Sequence, residues 1–347
     1  MSSSLLDPEA VYSAAPLTFL ANSFLVSGVL KAALDLHLFD LLSTQALTLK
    51  ELSEKLDMPR RAARSFLNAC ASAGLIIKKE DRYQNTMLSE TYLVKGKPYY
   101  FGGYLAFEIN RLFPPTHHLA ETLKTGTTKK YNAAESIFDV YAEDPELGLE
   151  FFQQFHVLSG LTAPFLLQKI DLSDRKTALD LGGGSGSLSI ELAKSFPYLK
   201  FTLFDLPGIC KIADHFIQEA SLGSRISLYP GDFFKDDLPS GFDLILLSAV
   251  VNLWNPEQNE ILVKKCWDAL VPGGKIIMVG SMLNDNEYEP LELSFVSLIS
   301  AIDTQGAIYT WKEQEEFLTK AGFQNLVRFP ITAPIRNGVI VGVKLKD

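Results

Sequence analysis

Thr177-Ala-Leu-Asp-Leu-Gly-Gly-Gly-Ser-Gly-Ser187 sets a short apolar, β-prone run directly before glycines at 182, 183, 184 and 186. Glycine lacks a Cβ, so the chain can turn there with positive φ and bring bare backbone N–H groups against a ligand. The segment that follows carries Leu188, Ile190, Leu192 and Ala193 at helical spacing, so the reading is a strand, a tight turn and a helix aimed at the turn. Lys200-Phe-Thr-Leu-Phe-Asp205 reads as a second strand. It ends in a carboxylate about 20 residues beyond the glycines, where an acidic group accepts hydrogen bonds from both ribose hydroxyls. Arg225-Ile-Ser-Leu-Tyr229 followed by Gly231-Asp-Phe-Phe234 gives a third strand, again ending in an acid and then aromatics. Asp232 there can accept from an adenine amine while Phe233 covers the ring. A dinucleotide-binding dehydrogenase fits less well, because its fingerprint wants a further glycine near Ser187 and makes no use of Gly-Asp-Phe-Phe.

Outward from this centre, strands are expected at 177–181, 200–205, 226–229, 243–248, 275–281, 326–330 and 338–344, with helices between the first five, as a doubly wound sheet requires. The Asn-Gly pair in Pro334-Ile-Arg-Asn-Gly338 favours a hairpin, so the last strand is expected to insert antiparallel. Upstream, residues 17–40 have a helical pattern that is apolar on most sides, which implies burial all round. A second copy of the chain is the simplest cover. Thr48-Leu-Lys-Glu51 is a capping box, Pro59 opens another helix and Gly74 stops it. That is a helix-turn-helix outline, with a wing from Leu75 through the charged turn at Lys78 to Arg82. Arg60, Arg61 and Arg64 at the start of the second helix could suggest DNA. A net charge of −9 argues against a polyanionic partner, because nucleic-acid binding relies on a positive surface. Hydrophobic content of 47% with 21% charged residues suits a soluble two-domain protein with a small-molecule substrate. Cys70, Cys210 and Cys266 are scattered in apolar helical contexts and read as reduced core residues. Phe19–Leu36 is broken by Asn22, Ser23, Ser27, Lys31 and Asp35, so no spanning helix and no signal peptide are expected, and the location is cytoplasmic. The Ser-rich start at 2–4 is expected to fray.

Asp-Leu-Gly-Gly-Gly-Ser-Gly at 180–186, Phe-Asp-Leu-Pro at 204–207, Gly-Asp-Phe-Phe at 231–234, Pro-Gly-Gly-Lys at 272–275 and Ala-Gly-Phe at 321–323 follow one another in an order and spacing that resemble a known family. It is the class I S-adenosylmethionine (SAM)-dependent methyltransferases, and within them the small-molecule O-methyltransferases with an N-terminal winged-helix dimerisation domain. The resemblance covers nearly the whole chain. It implies an α/β fold, a doubly wound Rossmann-like methyltransferase domain preceded by a mostly helical winged-helix domain. The implied division is a dimerisation domain at 1–95, a helical connector contributing to the substrate pocket at 96–170, and a SAM-binding domain at 171–347. SAM, released as S-adenosylhomocysteine (SAH), would be held by Asp180, Gly182, Gly184, Gly186, Asp205, Leu206, Asp232, Phe233 and Ser248. The implied partners are a small-molecule acceptor and a second copy through the N-terminal domain, with no nucleic acid and no membrane.

Methyl transfer from a sulfonium is an in-line displacement that depends on positioning and exclusion of water. In the resembled family the usual base is a histidine after the fourth strand of the domain, in a His-Asp-Trp context. Here that stretch reads Leu246-Leu-Ser-Ala-Val-Val-Asn-Leu-Trp254, so Asn252 stands in place of the histidine. An amide orients a hydroxyl but takes no proton at neutral pH. Either the acceptor is intrinsically nucleophilic (an acidic phenol or enol, an activated carbon, an amine), or a base comes from elsewhere. His156, in a stretch that contacts substrate in the family, is the leading substitute. Asp285, Glu287 and Asp303 are weaker ones, and His37, His117, His118 and His215 carry no partner signal. With Asn252 and Gly280 at the positions metal ligands would need, no metal is expected. O-methylation of an apolar, aromatic or polyketide-like metabolite is the leading reading. C- or N-methylation, a relative that retains SAM without transferring methyl, and a winged-helix regulator that senses SAM are the alternatives.

Overall fold

The computed structural model describes residues 14–125 and 137–346, apart from the side chains of residues 115, 137, 302 and 303. The Ser-rich start at 2–4 and the side chain of Asp303 therefore lie outside the described residues. The chain divides into two compact units, residues 1–117 and 118–347.

In the first unit Thr48 caps the helix Leu49–Lys55 as its sequence requires. Its hydroxyl accepts the Glu51 N–H at 3.3 Å while the Glu51 carboxylate accepts the Thr48 N–H at 2.7 Å. The helix Arg60–Ser72 follows and ends before Gly74, whose φ of 74° few other residues tolerate. Strands β1 (Leu47–Thr48), β2 (Ile76–Lys79) and β3 (Arg82–Asn85) pair in the order β1-β3-β2, and the β2–β3 hairpin is the wing. Arg60, Arg61 and Arg64 are exposed. Ala15–Asp35 is a helical run of 21 residues whose most apolar 18-residue window has a mean hydropathy of 1.6, long and apolar enough to cross a membrane by length and composition alone. This corrects the expectation from its polar residues. Asn22 Nδ2 donates to the Thr18 carbonyl and Ser23 Oγ to the Phe19 carbonyl, both at 2.9 Å, so their polarity is spent on the helix's own backbone. Phe19, Phe24, Leu25 and Val26 stand at least half exposed on it.

The second unit is built on seven strands, β4 (Thr177–Leu181), β5 (Lys200–Asp205), β6 (Ile226–Pro230), β7 (Phe242–Ser248), β8 (Leu270–Gly280), β9 (Gln324–Ala333) and β10 (Arg336–Val343). Their order is β6-β5-β4-β7-β8-β10-β9, with β4 to β8 parallel and β10 antiparallel to both neighbours. The order reverses beside β4, and in such sheets the crevice at the carboxyl ends of the strands there is the ligand site. Helices Ser187–Ser195 and Pro207–Glu219 pack on one face and Pro256–Ala269 and Trp311–Ala321 on the other, each closing its own apolar core.

Two expectations are corrected. Residues 231–241, between β6 and β7, hold turns rather than a helix. The segment is short and includes Pro239 and Gly241, which leaves no room for a helix and two loops. The β9–β10 hairpin turns at Pro334-Ile335, with Ile335 at φ 49°, not at the Asn-Gly pair. Asn337 is used up by a two-way link to Met282, accepting its N–H at 2.8 Å and donating to its carbonyl at 2.9 Å. Gly338 lies where a Cβ would come within 2.4 Å of both Met282 and Trp311.

Candidate active site

The glycine turn is shaped by its own bonds. Gly182 N–H reaches the Phe204 carbonyl at 2.8 Å, Gly186 N–H reaches the Gly183 carbonyl at 2.9 Å, and Gly182, Gly184 and Gly186 have φ of 67°, 56° and 73°. A Cβ on Gly182 would meet Val250 at 2.8 Å and one on Gly184 would meet Phe152 at 2.9 Å. Gly182 and Gly184 line a cavity of about 310 Å³, and a side chain on either would crowd its wall. At the end of β5, Asp205 Oδ2 accepts the Gly184 N–H and Oδ1 the Leu206 N–H, both at 2.8 Å. The half-buried carboxylate is thus locked onto the cavity wall with lone pairs to spare. Beyond β6, Asp232 Oδ1 accepts the Phe234 N–H at 2.9 Å and Oδ2 pairs with Lys235 at 2.8 Å. Phe233, Phe234 and Trp254 form an edge-to-face cluster with centroids 4.8–5.8 Å apart. Asp205, Leu206, Asp232, Phe233, Gly182 and Gly184 all line this one cavity, and Trp254, whose buried Nε1 has no hydrogen-bond partner, lines it too. Carboxylates at two strand ends, an aromatic wall and an orphaned indole donor fit an adenosine-sized ligand.

A second cavity of about 140 Å³ adjoins the first through Phe152, Gly182, Gly184 and Val250. Asp180, Ser185, Ser248 and Arg336 line it among phenylalanines. Asp180 is buried, and Oδ2 takes the Ser189 hydroxyl at 2.5 Å while Oδ1 has no partner. Burial pushes its pKa up to about 6, against the pull of the Ser189 hydroxyl and the Arg336 charge. Asp205 is likewise raised to about 6 by burial, opposed by the Gly184 and Leu206 N–H groups. Burial opposes the lowering at Asp232, but Lys235 and the Phe234 N–H hold that carboxyl below its ordinary range.

Asn252 lies in the short turn Val251–Leu253 after β7 and is only 8% exposed. Its Nδ2 donates to the Ser281 carbonyl at 3.1 Å and its Oδ1 has no partner. Asn259 holds this turn from behind through the Val251 and Trp254 carbonyls, and Tyr309 Oη donates to the latter at 2.7 Å. His156 lies elsewhere. Nδ1 pairs with Ser185 Oγ at 3.0 Å, the ring stacks on Phe216 at 4.2 Å, and it lines neither cavity. Burial drives its pKa down to about 4 despite Glu191 and Glu219, so it is neutral at pH 7. Asp285 accepts the Lys312 N–H at 3.2 Å and lies 3.9 Å from Arg328, and Glu287 sits at φ 70° in an exposed turn; neither lines these cavities. His37, for which no partner was expected, faces Asp40 at 3.4 Å. Sequence reasoning missed Arg336, Ser185 and Phe152. Ser185 sits inside the glycine motif and was legible there, whereas nothing local marks Arg336.

Residues 19–95 match the model of the O-methyltransferase dimerisation domain and residues 116–324 that of the O-methyltransferase domain. The chain is 33% identical over 329 residues to a 3-hydroxy-5-methyl-1-naphthoate 3-O-methyltransferase of Streptomyces sahachiroi, covering 94% of each. It is 30% identical to an L-tyrosine C(3)-methyltransferase of Streptomyces lavendulae, over 91% of this chain and 88% of that one. The solved structure of human N-acetylserotonin methyltransferase in complex with SAM is similar at a TM-score of 0.83 and 27% identity, over 98% of this chain and all of that one. Two domain models in sequence and relatives aligned along nearly the whole length show the family, and the chain belongs to the SAM-dependent O-methyltransferase family.

Proposed function

We propose that this enzyme methylates a small, largely apolar aromatic or polyketide-like metabolite, on a hydroxyl oxygen in the leading case. The observation that carries the reading is the convergence of three strand ends on one cavity: the glycine turn, Asp205 and Asp232-Phe233. In this reading Gly182, Gly184 and Gly186 admit the backbone to close approach. Asp205 binds the ribose with Leu206 beside it, Asp232 and Phe233 receive the adenine, and Asp180 and Ser248 border the amino-acid end. Bound SAM supplies an electrophilic methyl carbon on a sulfonium. The protein's contribution is to position the acceptor and keep water out.

Asn252 takes no proton and shapes the acceptor end only through the turn after β7: its Nδ2 is committed to the Ser281 carbonyl, its buried Oδ1 has no hydrogen-bond partner, and its side chain lines neither cavity. His156 positions Ser185 in the glycine turn, and a neutral, stacked imidazole outside both cavities supports that role over a base. The proton then leaves from an acceptor acidic enough to ionise. Carbon methylation is the second reading, supported by Asn252 in the base position and by a tyrosine C(3)-methyltransferase among the relatives.

Functionally, 1–95 serves dimerisation, 96–170 connects and borders the acceptor, and 171–347 binds SAM. A homodimer through the N-terminal domain accounts for the exposed Phe19, Phe24, Leu25 and Val26. All three cysteines are free and buried, which suits the reducing cytoplasm. The test is methyl transfer from labelled SAM to a panel of hydroxynaphthoates, phenols and tyrosine, with the methylated atom read by NMR. Oxygen-linked product supports the leading reading and carbon-linked product the second. A folded protein that binds no SAM by calorimetry overturns both.

A further inference from the structure

The turn after β6 carries Asp232 and Phe233, the two side chains read as adenine contacts, and no helix holds it in place. Its own bonds are local. The Asp232 carbonyl accepts the Lys235 and Asp236 N–H groups at 2.9 and 2.7 Å, and Asp236 Oδ2 accepts the Asp232 N–H at 2.8 Å. From outside the turn comes a lysine. Lys265 Nζ donates to the Phe233 carbonyl and to the Asp236 carbonyl, both at 2.8 Å, so one ammonium spans the turn from the residue after Asp232 to its last bonded residue. Lys265 is half-buried on the helix Pro256–Ala269, whose Leu262, Val263 and Cys266 are buried in the core, so its stem rises from a fixed base. Hydrogen bonds from a charged donor are stronger than neutral ones, and an ammonium has three N–H groups with which to clamp two carbonyls at once. A contact residue is only as well placed as the groups that hold it, and Lys265 holds the backbone of Phe233 itself.

We propose that Lys265 is the positioning residue of the adenine site: by clamping the Phe233 and Asp236 carbonyls it fixes the Asp232–Phe233 edge, so that the enzyme selects adenine over 6-oxopurines. The inference rests on the SAM reading above and assigns a residue outside all of its motifs. Asp232 discriminates only while its carboxylate is held opposite the 6-amine, where it accepts from a donor and repels an oxygen. A loosened turn lets the carboxylate swing away, and the two bases then bind alike.

The experiment is calorimetric binding of SAH and of S-inosylhomocysteine, in which a 6-oxo group replaces the adenine amine, to the intact chain as wild type, Lys265→Met and Lys265→Arg. Methionine keeps an unbranched apolar stem without the ammonium, and arginine restores charged donors. Wild type should prefer SAH by about tenfold or more, the value of one hydrogen bond to a charged acceptor. Lys265→Met should raise the SAH Kd about tenfold and leave the S-inosylhomocysteine Kd within about threefold, so that the preference collapses while the second ligand shows the variant to be folded. Lys265→Arg should recover most of the preference. Unchanged SAH affinity in Lys265→Met, equal weakening of both ligands, or a variant that no longer folds overturns the assignment and leaves Lys265 a residue of structure alone. Wild type that binds both ligands alike, or neither, overturns instead the cofactor reading on which it rests.

Discussion

Asp205 carries two demands that pull against each other. In the proposed ribose contact it accepts most strongly when ionised, yet burial lifts its pKa to about 6, and Asp180 is lifted to about 6 beside it. Both carboxylates therefore lose charge as pH falls through 6, and SAM affinity should weaken by about tenfold between pH 7.5 and 5, since one pH unit below the pKa leaves about a tenth ionised. Titration calorimetry across that range checks this; a flat profile removes the ionised carboxylates from the contact. Asp205→Ala should cost about 1.5–3 kcal/mol of SAM binding at pH 7.5, the value of a hydrogen bond to a charged acceptor. His156 is shifted downward instead, and this bears on stability rather than on binding. Its folded pKa of about 4 lies below the unfolded value of about 6.5, so between those limits the unfolded chain binds more protons and stability drops as pH falls. His156→Gln should flatten that dependence, with the unfolding free energies of wild type and variant from denaturant titration diverging by on the order of 2 kcal/mol between pH 7.5 and 5. It should also keep kcat within a few-fold, whereas a relocated base would lose about 10²–10⁴-fold.

At the scale of elements, the last hairpin is held by packing more than by turn chemistry. The sequence suggests an Asn-Gly turn, but Asn337 is claimed by Met282 and Gly338 by the lack of room beside Trp311. Gly338→Ala should therefore overpack the site where β10 meets β8, costing about 1–3 kcal/mol in chemical denaturation. An unchanged midpoint would mean that the strand shifts freely, and that the Arg336 two residues earlier is not rigidly placed. By contrast Thr48 is governed by its neighbours in sequence, and Thr48→Ala should cost about 1 kcal/mol by removing one capping bond.

For the whole molecule, the helical run Ala15–Asp35 is the least self-sufficient part. Leu17, Phe19, Phe24 and Leu25 stand exposed by 51–62% in a single chain, on a segment inside or beside the matched dimerisation domain. Light scattering should return about twice the 38.5 kDa chain mass. Phe24→Asp with Leu25→Glu should shift the protein toward monomer and lower its stability, because the paired apolar surface would return to water. A monomeric wild type would contradict this arrangement.

The sequence by itself determined what local chemistry dictates. The glycine turn needs positive φ at 182, 184 and 186, the capping box at Thr48–Glu51 closes between adjacent turns, and alternating strand and helix patterns lead to a parallel sheet with ligand groups at its carboxyl ends. Each of those signals is complete within a few residues, so it can be read without knowing what lies across the fold. Only the tertiary structure decided that Asn252 spends its amide on Ser281 and buries Oδ1 without a partner, that His156 is stacked and paired outside both cavities, and that the crossover 231–241 has no helix. It alone brought Arg336 from the final strand to the cavity behind the glycines. Those outcomes depend on burial and on partners distant in sequence, and desolvation, which sets their charges and their free valences, has no local pattern to betray it.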